Sequence, residues 1–283
     1  MTLRQIAHRI LPPIIVDGVR KVVGRKGPVP GRFEVVGSEW PTRVDANPGW
    51  EDAGIPASQA ERWAAFVSAC SGTAPLDVAH EAAEPIPRNI PFHNTYMTFG
   101  YVVALAAKGE AEFSMLDWGG GLGHYAVLAQ ALLPESRVEY HCKDLPAFCE
   151  QGRLLLPEAT FHSDDTCLSR TYDLVVASGS LQCSSEWRQV VSGLVRATGR
   201  YLYVTRLPVL IESPSMVVRQ QARIQGFNDD LLGWFLNRQE FVDHVESQGM
   251  QLVREFYIDE HPHIEDASEQ ADVRGFLFKP KGS

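Results

Sequence analysis

The 283-residue sequence has few cysteines, and no two of them stand at the spacing of a metal or redox motif. The five (Cys70, Cys142, Cys149, Cys167 and Cys183) are an odd number and scattered. They read as separate thiols in a reducing, cytoplasmic compartment, not as a disulfide frame or a zinc site. A chain of this length has core enough to need no such staple. Positive charge is also short: the net charge is -9, which argues against a nucleic-acid backbone as the main partner. Long hydrophobic runs are missing. The apolar stretch 10–16 is broken by Pro12 and Pro13. It is too short to span a bilayer and has no small-residue cleavage site behind it, so it is not read as a signal peptide. No internal repeat or low-complexity tract is present. With 45% hydrophobic and 22% charged residues, the composition is that of an ordinary globular protein.

The charge is unevenly distributed. Within Met1–Pro30, six basic residues (Arg4, Arg9, Arg20, Lys21, Arg25 and Lys26) face one acid, Asp17. That arm carries about +5 and the remainder about -14. Such a segment can lie on an anionic membrane surface, or pack as a helical arm on its own domain or on a dimer partner.

Residues 27–56 are rich in proline and glycine and read as irregular structure. Residues 59–69 are helical in pattern, and 85–91 form a second break with three prolines. From there strands and helices alternate. Helical spacing at Phe99, Val102, Val103 and Ala106 leads into a short apolar strand ending at Asp117. Strands are expected at 113–118, 137–143, 160–162, 172–177 and 200–205, with helices at 123–133, from Pro146, and at 186–197. Asn237 is placed to cap a helix over 238–248 that Gly249 ends. Two last strands, 251–258 and 273–278, lack a helix between them and read as an antiparallel hairpin at one edge. The expected fold is α/β: a doubly wound, mostly parallel, seven-stranded Rossmann-like sheet. An N-terminal arm and helical cap fill 1–90, and the sheet domain fills 91–283. The long connection 206–236, with Met216, Phe227, Trp234 and Phe235 as an apolar face, is expected as a lid or a dimer interface.

Ligands in such sheets bind beyond the carboxyl ends of the strands. The informative stretch there is Asp117-Trp118-Gly119-Gly120-Gly121-Leu122-Gly123-His124-Tyr125, a DxGxGxG pattern between a strand and a helix. Gly119, Gly121 and Gly123 permit a tight turn whose bare backbone approaches a ligand, and the helix start offers free N–H groups. Such groups hold a pyrophosphate in dinucleotide folds, and 121–126 passes as a GxGxxA variant. S-adenosylmethionine (SAM) fits the surroundings better. Asp117 precedes the glycines. Asp144, with Leu145 beside it, follows the next strand, where ribose hydroxyls are met. Asp164 and Asp165 follow the third strand, where an adenine amino group is met. Asp144 is equally placed to cap the helix at Pro146, and the 164–165 pair also reads as a solvated turn. Ser178 and Gln182 stand at the tip of the fourth strand, a common position for ligand contacts.

On these residues the chain resembles the class I SAM-dependent methyltransferases over roughly 90–280. More narrowly, it resembles a bacterial methyltransferase-like family of surface-glycan and natural-product gene clusters. That family has a Ser-x-x-Leu-Gln stretch, here Ser178-Gly179-Ser180-Leu181-Gln182, and an Asp-Arg-Thr-Pro end to its fifth strand, here Thr205-Arg206-Leu207-Pro208. Thr205 stands where the family has its acid, which puts that acid's role in doubt. The segment Pro48-Gly49-Trp50-Glu51-Asp52-Ala53 resembles the family's N-terminal tryptophan element. The resemblance implies a small-molecule or sugar acceptor methylated on O, N or C. It also implies that the region of His93 and Tyr96 folds over SAM.

Methyl transfer needs positioning, and a base only where a proton must leave. The candidate bases are His93, Tyr96 and His124. His141, in mid-strand, reads as a core histidine. His261-Pro262-His263 reads as a solvated loop, since its spacing suits no metal. Three further readings stay open. SAM can be cyclised on its own aminobutyrate arm to an azetidine amino acid, with release of methylthioadenosine. The chain can be a non-enzymatic SAM-binding protein. A nicotinamide oxidoreductase is the fourth.

Overall fold

The computed structural model describes residues 32–42, 49–52, 54–80, 88–220 and 231–282. The basic arm, Pro48, Ala53, Pro85, Pro87 and Phe227 lie outside the described residues. In chain order the strands are β1 (Arg32–Gly37), β2 (Glu112–Trp118), β3 (Arg137–Lys143), β4 (Thr160–His162), β5 (Tyr172–Ser178) and β6 (Thr198–Leu210). They continue with β7 (Met216–Gln220), β8 (Leu231–Asn237), β9 (Met250–Tyr257), β10 (His263–Ile264) and β11 (Asp272–Pro280). The helices are α1 (Gly54–Glu61), α2 (Trp63–Cys70), α3 (Ile90–Ala106), α4 (His124–Leu132), α5 (Pro146–Leu155), α6 (Trp187–Arg196) and α7 (Arg238–Ser247).

β2 is buried along nearly its whole length, as a central strand covered on both faces must be. It pairs in parallel with β3 on one side and β5 on the other. β4 lies beyond β3 and β6 beyond β5, both parallel. β11 then runs antiparallel to β6, and β9 antiparallel to β11.

Helices cover both faces. On one, Phe99, Val102, Val103 and Ala106 of α3 are fully buried against Met115, Val176 and Leu277. Their spacing is one stripe of a helix of period 3.6. On the other, Trp187 and Val191 of α6 and Phe241 and Val245 of α7 pack on Val175, Val204 and Phe276. Element ends follow local chemistry. Asn89 Oδ1 accepts from Phe92 N at the start of α3, and Asn237 Oδ1 from Glu240 N at the start of α7. Pro146 opens α5, where its missing N–H costs nothing.

The sheet departs from expectation in extent. Among the described residues it holds eleven strands, not seven. The stretch expected as a lid is largely strand: β6 runs on to Leu210, and β7 and β8 pair antiparallel beside it. Val218, Phe235, Leu210 and Ile264 bury one another in a small core there, and that burial draws the segment into the sheet. Within the stretch read as irregular, β1 pairs with β7 and with β10. The strands on either side of the expected boundary at residue 90 therefore share one sheet, and Gly31–Ser283 forms one compact unit. Among the described residues no helix is long and apolar enough to cross a membrane.

Phe276 is fully buried and lies edge-on to Phe241 at 5.1 Å. Phe276→Ala should lower the unfolding free energy by about 3–5 kcal/mol. Val253→Ala, on the more open face of β9, should change it by less than about 0.5 kcal/mol. Urea denaturation of both variants checks the contrast.

Candidate functional site

The carboxyl ends of β2, β3, β5 and β6 open onto a cleft of about 580 Å³, within the usual range for small-molecule sites. The glycine turn after β2 forms its floor. Gly119 N donates to Lys143 O at 2.7 Å, and Ser180 Oγ donates to Trp118 O at 2.7 Å, so the turn is pinned from both sides. Two glycines have clear reasons to be glycine. A Cβ on Gly120 would stand 2.4 Å from Asp117 Oδ2. Gly121 has φ +59° and lines the cleft, where a Cβ would make ordinary contact with Gln59 Oε1 at 3.7 Å.

Asp117 does not line the cleft. It is fully buried beneath the turn, where Oδ2 accepts from the Tyr140 hydroxyl at 2.6 Å and Oδ1 has no hydrogen-bond partner. Burial pushes its carboxyl up to about 7. The Tyr140 hydrogen bond opposes the shift, and the charge of Asp144 adds to it. Asp144 does line the cleft, with Leu145 beside it. Its Oδ2 accepts from Gly121 N and its Oδ1 from Leu145 N, each at 2.7 Å. Burial raises its pKa against those two bonds. A carboxylate has about four acceptor positions, so both oxygens keep capacity toward a ligand. Gly119 and Ser178 also face the cleft, and Ser178 Oγ is 2.7 Å from the Tyr125 hydroxyl.

The other expected residues are placed elsewhere. Gly123 starts α4 in a left-handed conformation behind the turn, against Leu156 and Phe161. Asp164 is exposed and caps the short turn Asp165–Ser169, accepting from Thr166 N, and it does not line the cleft. Gln182 donates through Nε2 to Arg206 O at 3.4 Å and lines a second, smaller cavity.

None of the three candidate bases reaches the cleft; they hold the segment that does. His93 Nδ1 meets Leu76 O at 3.3 Å, and the Tyr96 hydroxyl donates to Val78 O at 2.8 Å. His80 Nδ1 lies 3.1 Å from the same hydroxyl oxygen. The single tyrosine hydrogen goes to the carbonyl, so Nδ1 of His80 is the donor there. His124, 2% exposed, stacks on His80 at 4.1 Å. His80 is the imidazole on the cleft wall, and no motif marked it.

Trp50, of the tryptophan element, lines the cleft, as do Gln59, Tyr125 and Phe148, to which no motif gave a role, and the manner in which Arg206 enters it is not legible in the sequence. β11 pairs Arg274 with Leu207 and Phe276 with Val204, so Gly275 alone stands opposite Thr205 and Arg206. Such a bulge re-aims a side chain. Arg206 has φ +53°, and its guanidinium sits 4.6 Å from the Phe92 ring centre. Thr205 is buried, within hydrogen-bond distance of the Tyr203 hydroxyl at 3.1 Å. Among the described residues no His, Cys, Asp and Glu cluster is arranged to hold a metal.

The sequence matches no family model, and no curated protein matches it. Among solved structures the chain is similar to the CcbJ methyltransferase from Streptomyces caelestis, at 12% identity over 64% of this chain and 89% of that one, with a TM-score of 0.45. It is similar to magnesium protoporphyrin IX methyltransferase from Synechocystis, solved with bound SAH, at 14% over 80% and 96%, TM-score 0.48. A sugar N-methyltransferase from Streptoalloteichus gives 17% over 66% and 87%, TM-score 0.43. Identities and scores this low describe a likeness in outline only.

Asp117 keeps its proton up to about pH 7 in the folded chain, against an ordinary value of 3.8. Between these values the native state binds more protons than the unfolded one, so stability falls as pH rises. Asp117→Asn removes that dependence. From about pH 4 to about pH 7 the difference in unfolding free energy should shift toward the variant by roughly a few kcal/mol, then level off. A difference that stays constant across this range would mean that Asp117 is already ionised beneath the turn.

Proposed function

We propose that the cleft binds S-adenosylmethionine and that the protein transfers its methyl group to a small-molecule or sugar acceptor. The setting is the natural-product or surface-glycan assembly that the sequence resemblance implies. The observation that carries this reading is the carboxylate-braced glycine turn: bare backbone at Gly119 and Gly121 facing the cleft, with Asp144 bonded to Gly121 N on its wall. These residues fit the cofactor's chemistry. Asp144 offers carboxylate oxygens to vicinal ribose hydroxyls. Leu145 and Phe148 give apolar surface to a flat base. Buried Asp117 holds the turn from beneath, its Oδ2 bonded to Tyr140 and close under Gly120.

When bound, the cofactor supplies an electrophilic methyl carbon whose bond to the positive sulfur breaks as a nucleophile's lone pair takes it. The chain's part is to hold the reactants in line and exclude water. His80 is the cleft-wall group suited to take a proton from a hydroxyl or amine nucleophile. His93, Tyr96 and His124 position it.

Cyclisation of the cofactor on its own amine needs one closed pocket and no acceptor site. A second cavity sharing a wall with the cleft favours a separate acceptor.

Calorimetric titration with SAM tests the donor site. Asp144→Ala should weaken binding roughly 10- to 100-fold, the range for a lost hydrogen bond to a charged group. Gly121→Val, a β-branched residue forced to positive φ, should abolish it. Wild-type affinity in Gly121→Val would overturn the assignment. Mass spectrometry of turnover products should give S-adenosylhomocysteine. Methylthioadenosine in its place would mean cyclisation.

A further inference from the structure

One polar side chain enters the cleft from outside the sheet. Gln59 lies on α1, whose Ile55 is buried with Leu122 of the glycine turn and Phe148 of α5. That packing seats α1 beside the turn. Gln59 is 6% exposed and lines the cleft. Among the described residues its carboxamide has no hydrogen-bond partner. The Trp50 indole N–H is unpaired too, but it is sealed from solvent, whereas the Gln59 oxygen and nitrogen are not. A polar group this deep with nothing to bond is costly, and the side open to it is the cleft.

The neighbours say what it would meet. A Cβ on Gly121 would stand 3.7 Å from Gln59 Oε1 and 4.0 Å from Phe148 Cδ1. The carboxamide, the edge of the Phe148 ring and the open side of Gly121 therefore surround one place. Gly121 N is bonded to Asp144 Oδ2, which ties the Asp144 carboxylate to the same corner. A carboxylate can only accept. Two vicinal hydroxyls that give their hydrogens to Asp144 keep oxygen lone pairs that need donors. A carboxamide brings two N–H donors, and its last torsion is soft enough to turn them toward a ligand.

We propose that Gln59 binds the ribose of the donor, its amide donating to the hydroxyl oxygens whose hydrogens go to Asp144. The cap formed by α1 is then part of the donor site, although it lies outside the parallel strands. The inference rests on the reading of the cleft as the SAM site and deepens it by assigning a ribose contact.

Calorimetric titration of the full chain tests it with two ligands. One is S-adenosylhomocysteine, and the other is S-(2′,3′-dideoxyadenosyl)-L-homocysteine, which lacks both hydroxyls. Gln59→Leu and Gln59→Met keep the bulk of the side chain and remove its polar end. Each should weaken S-adenosylhomocysteine binding roughly tenfold and the dideoxy analogue by less than roughly twofold. No bond within the protein is lost, so the urea midpoint without ligand should stay where it is. Wild-type affinity for S-adenosylhomocysteine in both variants overturns the inference and leaves the donor site standing. Equal losses for the two ligands overturn it as well, with or without a lowered midpoint, since Gln59 would then act elsewhere than on the ribose. Failure of S-adenosylhomocysteine to bind the unaltered chain overturns the reading of the cleft, and this inference with it.

Discussion

A carboxylate with no access to water sits under the glycine turn, and the site is organised around it. Burying an ionised group without full pairing is expensive. Asp117 limits that expense by taking one strong hydrogen bond from Tyr140 and by holding its proton to near neutrality. Gly120 must then be glycine, because the carboxylate occupies the space where its Cβ would go. The turn is thereby set low over the strand end, and its next residue, Gly121, is presented to the cleft and bonded to Asp144. Two acids on neighbouring strands thus fix one turn from below and from the side. The charge of Asp144 adds to the cost of ionising Asp117.

Histidine and tyrosine side chains near the cleft serve a different purpose from the one their residue types advertise. His93 and Tyr96 lie on α3 and bond to the backbone of the segment 76–78. His124 at the start of α4 stacks on His80. Three residues on two rigid helices therefore fix one imidazole on a segment that has no regular structure of its own. A side chain on irregular chain keeps one position on the cleft wall only with such support.

Most of the sheet from β2 onward was legible because local signals agree there: apolar runs, Pro146 and Asn237 at helix starts, and Gly249 after a helix end. β1, β7, β8 and β10 were not, because their pairing is with distant chain. β1 joins β7 across more than half the sequence, and nothing within a window of a dozen residues encodes that. The same division runs through the site. Gly119, Gly121, Asp144, Leu145 and Ser178 stand at the tips of parallel strands, and topology alone sends them to the cleft. Asp164 stands at such a tip too, yet the short turn behind it takes its oxygen first. His80 and Gln59 reach the cleft from segments whose approach is set by packing, so no spacing reports them.

Arg206 shows how the extra strands and the site are connected. β6 pairs with β5 as far as Thr205 and with β8 from Val209. Between these points it changes neighbour, and the bulge opposite Gly275 absorbs the mismatch. Left-handed backbone at a non-glycine residue costs on the order of 1 kcal/mol or more, so the surrounding pairing must hold it in place. Here the pairing does so from both sides: the β5 ladder ends on one flank, the β8 ladder begins on the other, and β11 runs past both. The gap left where the partners change is where the two cavities meet, and the residue forced into the strained conformation is the cation in their common wall. Without β7 and β8 there would be no switch of partner, no second cavity and no reason for a charged side chain to turn inward at that point. The part of the fold that departs most from a plain doubly wound sheet is therefore the part that walls the second cavity.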